Sequence, residues 1–205
     1  NKVLVVGSGM IGLATVAALR AMRIDLHITV IARHRFQAEC AEALGADAIV
    51  TGTGEDIYEN LATVLGTLVF GRARNRILKT GFHIIYDCVG SSDTLNASLR
   101  WVRPRGHVVL IGVDMYPGRL DRSPLWHREV SILGAAGCGS EDFEGRRCTT
   151  FQRVVEWVES GRLSLHGLLT HRYALSDYRK AIAVSSCKSA SQAIRVAFEF
   201  DGGGS

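Results

Sequence analysis

The stretch KVLVVGSGMIG, from Lys2 to Gly12, runs a lysine and four apolar residues into a turn built on three glycines. Its spacing is G-x-G-x-x-G, with Gly7, Gly9 and Gly12 framing Ser8, Met10 and Ile11. A short, continuously apolar run bounded by such a turn reads as a strand buried on both faces. The residues that follow, from Met10 to Arg23, carry apolar side chains at helical spacing. In a strand–turn–helix unit each glycine has a mechanical task. Gly7 makes the tight turn, Gly9 lets the backbone approach a pyrophosphate, and Gly12 lets helix and strand pack closely. The free N–H groups and positive dipole end of the helix then face the phosphates of a dinucleotide.

On either side of the turn the same alternation continues. Strands are predicted at Lys2–Val6, His27–Ile31 and Ala48–Val50, with helices at Met10–Arg23 and Arg35–Leu44 between them. A second half follows: helix Glu55–Leu65, strand His83–Asp87, helix Thr94–Val102, strands His107–Val113 and Val130–Leu133, and helix Thr149–Ser160. Runs such as HVVLIGV fit a parallel sheet covered on both faces. The expected fold is α/β, a doubly wound parallel six-stranded sheet of the Rossmann kind. Residues 1–161 form this domain, 162–200 a small C-terminal appendage of strand, helix and strand, and 201–205, DGGGS, a disordered tail.

Composition narrows the function. The chain has 205 residues, 47% of them hydrophobic, with a net charge of +4. Its basic residues are scattered except in GRARNRILK, Gly71 to Lys79, which reads as a solvated loop or subunit contact and not as a nucleic-acid face. Cys40, Cys88, Cys138, Cys148 and Cys187 are widely spaced and never form Cys-x-x-Cys, so neither a disulfide framework nor a zinc knuckle is expected. No charged-then-apolar leader precedes the first strand and no apolar run reaches membrane-spanning length, which points to a soluble cytoplasmic protein. Asn1 stands directly on that strand, without a Met and lead-in, as in a fragment of a longer protein.

The end of the second strand tests the kind of dinucleotide. An NAD site carries an acid there to hold the ribose 2′-hydroxyl; this chain has Ala32, followed by Arg33, His34 and Arg35. No carboxylate repels a 2′-phosphate, and two guanidinium groups stand in reach of one, so NADP is favoured over NAD. Methyltransferases also place a glycine-rich turn after a first strand, but the third glycine, Gly12, favours a dinucleotide. A short-chain dehydrogenase fits poorly, because the residues four beyond Tyr173 and Tyr178 are Asp177 and Ile182, not Lys.

With VLVVGSGMIGLATVAALRA, AECAEALGAD, YDCVGSSDTLNASLRWVRPRGHVVLIGV and LLTHRYALSDYRKAI in this order, the chain resembles the cofactor-binding half of the zinc-type medium-chain alcohol dehydrogenase superfamily. GFHIIYDCVG and the basic segment before it are most similar to its threonine- and polyol-dehydrogenase-like branch. The resemblance implies that Asp87, Cys88, Val89 and Gly90 lie along the adenosine and ribose. It places Ile111, Gly112 and Val113 along the nicotinamide, and Arg195 at the pyrophosphate. Cys88 and Ile111 read equally well as core, and Arg195 as a surface residue of an edge strand. The resemblance also implies zinc, held in an N-terminal domain whose Gly-His-Glu helix and four-cysteine cluster this chain lacks. Catalytic and metal-ligating residues are therefore expected to be absent here; none of the seven histidines falls in His-Glu or His-x₃-His spacing. The function implied is hydride transfer between an alcohol and the nicotinamide, with the alternative of a stand-alone NADP(H)-binding or sensing module. The appendage would pack on the catalytic domain, and a homodimer would form through Val130–Leu133, an apolar strand without charge or proline.

Overall fold

The computed structural model describes residues 1–52, 56–116 and 118–200. Glu55, the expected start of a helix, and the tail 201–205 lie outside the described residues. The first half runs β1 (Lys2–Val6), α1 (Met10–Ala21), β2 (His27–Ile31), α2 (Arg35–Ala43), β3 (Ala48–Val50) and α3 (Asp56–Leu65). A small hairpin follows, β4 (Val69–Phe70) and β5 (Ile77–Leu78), then β6 (Phe82–Asp87), α4 (Ser92–Trp101), β7 (Val102–Leu110), α5 (Ser123–His127) and β8 (Ser131–Gly134). The last part holds a second hairpin, β9 (Ser140–Phe143) and β10 (Arg146–Thr149), then α6 (Thr150–Glu159), β11 (Leu169–Ala174), α7 (Tyr178–Ser186), α8 (Lys188–Ser191) and β12 (Arg195–Glu199).

Six strands form one sheet in the order β3-β2-β1-β6-β7-β8, and every pairing in it is parallel. This is the expected doubly wound α/β sheet. The chain order reverses between β1 and β6, which opens a crevice at the carboxyl ends of the strands. At the centre, Val3, Leu4 and Val5 are wholly buried, as an apolar strand covered on both faces requires. Val3 and Val5 pack with Leu13 and Val16 of α1, whereas Leu4 packs with Leu61 of α3 and Leu99 of α4. Period-two alternation along one strand thus feeds two helical layers.

The structure moves several element ends. Helix α1 stops at Ala21, and Arg23 takes a left-handed φ of +56° that turns the chain towards β2. Helix α4 begins at Ser92, two residues ahead of the expected start, because the hydroxyl of the N-cap Ser91 accepts the Thr94 N–H at 3.2 Å. Strand β7 begins at Val102, five residues early, and absorbs Pro104 and Arg105 in a register shift; Arg105 has φ +57°. It ends at Leu110 and not Val113, since the N–H groups of Ile111 and Gly112 both turn to the Asp87 carbonyl. The basic run is part of the β4–β5 hairpin, closed by a short 3₁₀ turn at Ala73–Asn75, and not a plain loop.

The C-terminal strands β11 and β12 pair in parallel as their own two-stranded sheet. This segment is anchored on the main core: Leu163 packs on Ala17 and Ala21 of α1, and Leu168 and Ile194 join the cluster of Leu13, Val16 and Ala41. Among the described residues no helix is long and apolar enough to cross a membrane.

Candidate functional site

The glycine turn joins the C-terminal end of β1 to α1, and the structure gives its glycines different surroundings. A Cβ on Gly12 would overlap the Gly7 carbonyl oxygen and lie 2.9 Å from its carbon, so the first turn of α1 presses on the loop backbone. Gly7 has φ +94°, and a Cβ there would stand 2.6 Å from Val89 Cγ2. At Gly9 a Cβ would meet nothing within 4 Å. Two glycines are therefore required by packing inside the protein, while the third looks onto open space. Gly9 is the N-cap of α1, no side chain caps that helix, and its first turn holds no acid. The first N–H groups of that turn have no intrahelical acceptor and carry the positive end of the helix dipole.

A cavity of about 830 Å³ opens over this turn. Its wall includes Gly7, Ser8 and Gly9 from the turn, Arg33, His34 and Gln37 from the end of β2 and the start of α2, and Val89 after β6. Ser91, Asp93 and Thr94 at the head of α4 and the stretch Ser185–Ser189 complete much of the rest. Arg33 is exposed and pairs with no described residue. Arg35 does not line the cavity; its Nε donates to Glu39 Oε1 at 2.8 Å, one turn further along α2.

The loops after β6 and β7 meet backbone to backbone beside the cavity. A Cβ on Gly112 would lie 2.5 Å from the Val89 carbonyl carbon, and Gly90 is held at φ +74° against Gly112. Asp87 organises them from below: it is fully buried, and its Oδ1 accepts the N–H groups of Val89 at 3.0 Å and Gly90 at 2.9 Å. Asp87 Oδ2 is buried without a partner among the described residues. Cys88 lies under α1, its Sγ 3.6 Å from Thr15 Oγ1, and burial pushes its thiol up to about 11. It is a core thiol and not an exposed nucleophile. Val113 and Ile11 are exposed, whereas Met10 and Cys88 pack against the cluster beneath α1. Arg195 opens β12, exposed, and does not line the cavity.

The structure thus brings Gly7, Gly9, Arg33, His34 and Val89 to one cavity, while Met10, Ile11, Gly12, Arg35, Cys88, Ile111, Gly112, Val113 and Arg195 are not on its wall. It adds residues that sequence reasoning missed. The Ser8 hydroxyl donates to Gln37 Oε1 at 3.0 Å in a buried bond, tying the glycine turn to α2. Gln37 lies in the first turn of α2, and nothing in the sequence pattern marks it. Ser185 to Ser189 carry no motif; tertiary folding alone puts them here.

Residues 11–152 match the family described as zinc-binding dehydrogenase. The chain belongs to that family. It is 30% identical over 200 residues to an L-idonate 5-dehydrogenase of Vitis vinifera, a match covering 97% of this chain and 49% of that protein. A sorbitol dehydrogenase of Arabidopsis thaliana is 27% identical over 200 residues, with 97% and 50% covered. The zinc-binding dehydrogenase chain described here thus spans about half the length of the curated relatives it matches. Among solved structures, the L-idonate 5-dehydrogenase of Escherichia coli K-12 superposes with a TM-score of 0.74 at 22% identity, covering 97% of this chain and 50% of that one. A putative zinc-binding dehydrogenase of Sinorhizobium meliloti 1021, bound to NADP, superposes at 0.69 with 20% identity, covering 97% and 52%. These structures share the fold. Among the described residues no three His, Cys, Asp or Glu side chains gather as a metal site.

Proposed function

We propose that the chain is the cofactor-holding half of a zinc-type alcohol or polyol dehydrogenase and binds NADP(H) in preference to NAD(H) across the carboxyl ends of β1, β2 and β6. The observation that carries the reading is Gly9: the open space at its missing Cβ, above an uncapped helix N-terminus, fits a pyrophosphate. Gly7 and Gly9 lie against the phosphates, with the first-turn N–H groups of Met10, Ile11 and Gly12 donating to them. Ala32 is buried and brings no carboxylate to the ribose side, and the unpaired Arg33 with His34 takes the 2′-phosphate. Arg35 contributes only if it leaves Glu39. Val89 covers the adenosine, Cys88 supports it from the core, and Ile111, Gly112 and Val113 flank the nicotinamide.

The bound cofactor supplies the hydride acceptor. This chain's residues orient it, and the zinc ligands and proton route belong to the half of the relatives that the chain does not span. We place the domain limit near residue 161; the segment beyond it, 162–200, would pack on that other half. The edge strand β8 would pair with its copy in a homodimer, and the protein would work in the cytoplasm on a small alcohol or polyol. The chain alone is expected to turn over no alcohol.

Calorimetry on the 205-residue chain with both cofactors is the test. Tighter binding of NADP, lost at high salt and abolished in Arg33→Ala while NAD binding stays, is the expected result. Equal affinities at low salt would refute the 2′-phosphate clamp, and no binding of either would refute the whole reading.

A further inference from the structure

The wall formed by Ser185–Ser189 belongs to the C-terminal segment, not to the sheet domain, and it brings one cation with it. Among the described residues, the basic side chains on the cavity wall are Arg33, His34 and Lys188. Arg33 and His34 stand where β2 ends, the side that the proposed function gives to the ribose, so among the described wall residues Lys188 is the basic side chain left to meet two phosphate charges. Lys188 is exposed and has no carboxylate partner among the described residues. Its position is fixed from both sides. Before it, Ala181 of α7 is buried; after it, Ser191 Oγ donates to the carbonyls of Val184 at 2.8 Å and Cys187 at 3.0 Å, and Gln192 turns the chain at φ +56°. Ile194 then enters the core beneath α1 and α2. With the backbone anchored, a lysine reaching an anion from there gives up its side-chain rotamer freedom but little backbone freedom.

We propose that Lys188 is the side-chain cation that meets the cofactor's pyrophosphate, the place the family resemblance assigns to Arg195. This rests on the proposed function, and it makes the C-terminal segment part of the cofactor site. Its phosphate contact is common to every ligand that carries the pyrophosphate and independent of the 2′-phosphate.

The experiment is titration calorimetry on the whole chain with NAD, NADP, ADP-ribose and 2′-AMP. Lys188→Met is expected to weaken NAD, NADP and ADP-ribose by about tenfold each, to leave 2′-AMP within about twofold, and to flatten the salt dependence. Lys188→Arg should restore most of the affinity, and Arg195→Met should stay near the parent. Because Lys188 is exposed, unchanged thermal midpoints should accompany these results. A loss confined to NADP and 2′-AMP, an unchanged ADP-ribose affinity, or a loss carried by Arg195→Met overturns the inference while leaving cofactor binding intact. A parent chain that binds none of the four ligands overturns the proposed function, and the inference with it.

Discussion

Gly9 and Gly12 stand three residues apart in one motif, and the structure separates their consequences. In Gly12→Ala the new methyl would overlap the Gly7 carbonyl oxygen, lie 2.9 Å from its carbon and 3.5 Å from Val5 Cγ1. Carbon atoms settle at about 3.5–4 Å, so the carbonyl carbon alone demands a retreat of about 0.6 Å and the overlapping oxygen a larger one, and the group struck is backbone. Overpacking of that kind costs about 1–3 kcal/mol, and here the upper end applies because no side chain can swing away. With a urea slope of about 3 kcal/mol per molar, the unfolding midpoint should fall by close to 1 M. Gly9→Val meets no atom within 4 Å, and Gly9 already has extended backbone angles, φ −79° and ψ −171°. Its cost is the poorer cap, about 1 kcal/mol or less, a midpoint shift of about 0.3 M. Its isopropyl group fills the space assigned to the pyrophosphate, so cofactor affinity should drop by about a hundredfold or more. Urea unfolding followed by tryptophan fluorescence, paired with calorimetry on each variant, reads both quantities. A Gly12→Ala chain that unfolds like the parent would mean α1 does not cross β1 this closely. A Gly9→Val chain that binds within a few-fold of the parent would remove the phosphate cradle and with it the central assignment.

Arg128 is buried, and its guanidinium donates to the carbonyls of Arg100 at 3.3 Å and Leu78 at 3.0 Å, joining the end of α4 to β5. Arg128→Met should cost about 2–4 kcal/mol in urea unfolding through two orphaned carbonyls, with cofactor affinity unchanged; a neutral outcome would place the hairpin elsewhere. Edge pairing is best tested at Leu133, half-exposed on β8, and not at Ile132, which packs on the core. Leu133→Lys should convert a dimer to a monomer in light scattering, and a parent that is already monomeric refutes the interface. Iodoacetamide at pH 8, read by mass spectrometry, should label the exposed Cys138 and Cys187 and spare Cys88, whose thiolate fraction at a pKa of about 11 is roughly one in a thousand. Added NADP should protect Cys187 on the cavity wall and not Cys138; equal protection of both, or of neither, would argue against that wall.

How legible these features were in the sequence depended on the range of the interaction that fixes them. Strands β1, β2 and β3 fall where the apolar runs put them, because strands of a parallel sheet covered by helices are mostly apolar and polar or glycine-containing turns separate them from the helices. Ser91 and Arg105 shifted the ends of α4 and β7, since a cap bond and a register slip depend on one side chain or one backbone angle, which periodicity does not sense. The hairpin β9–β10 was missed because its strands are polar on both sides and turn through Glu144-Gly145, both at positive φ, where Asn or Asp before Gly is the usual signal. Arg33 and Arg35 look equivalent in sequence. On the helix, Arg35 stands one turn before Glu39 and pairs with it, while Arg33 precedes the helix and has no such neighbour.

The C-terminal segment ties these observations together. It was read as an appendage because it adds no strand to the main sheet, and its strands do pair only with each other. Yet Leu163, Leu168 and Ile194 are almost fully buried against α1 and α2, the two helices whose N-termini flank the cavity. At about 25 cal/mol per Å² of apolar surface, three such side chains stabilise the docked position by several kcal/mol, enough to hold Ser185–Ser189 in place without a ligand. The groove is therefore already walled by a segment remote in sequence from the glycine turn. A substitution that loosens that anchor, at Leu168 or Ile194, acts on the cavity wall at Ser185–Ser189 without touching it.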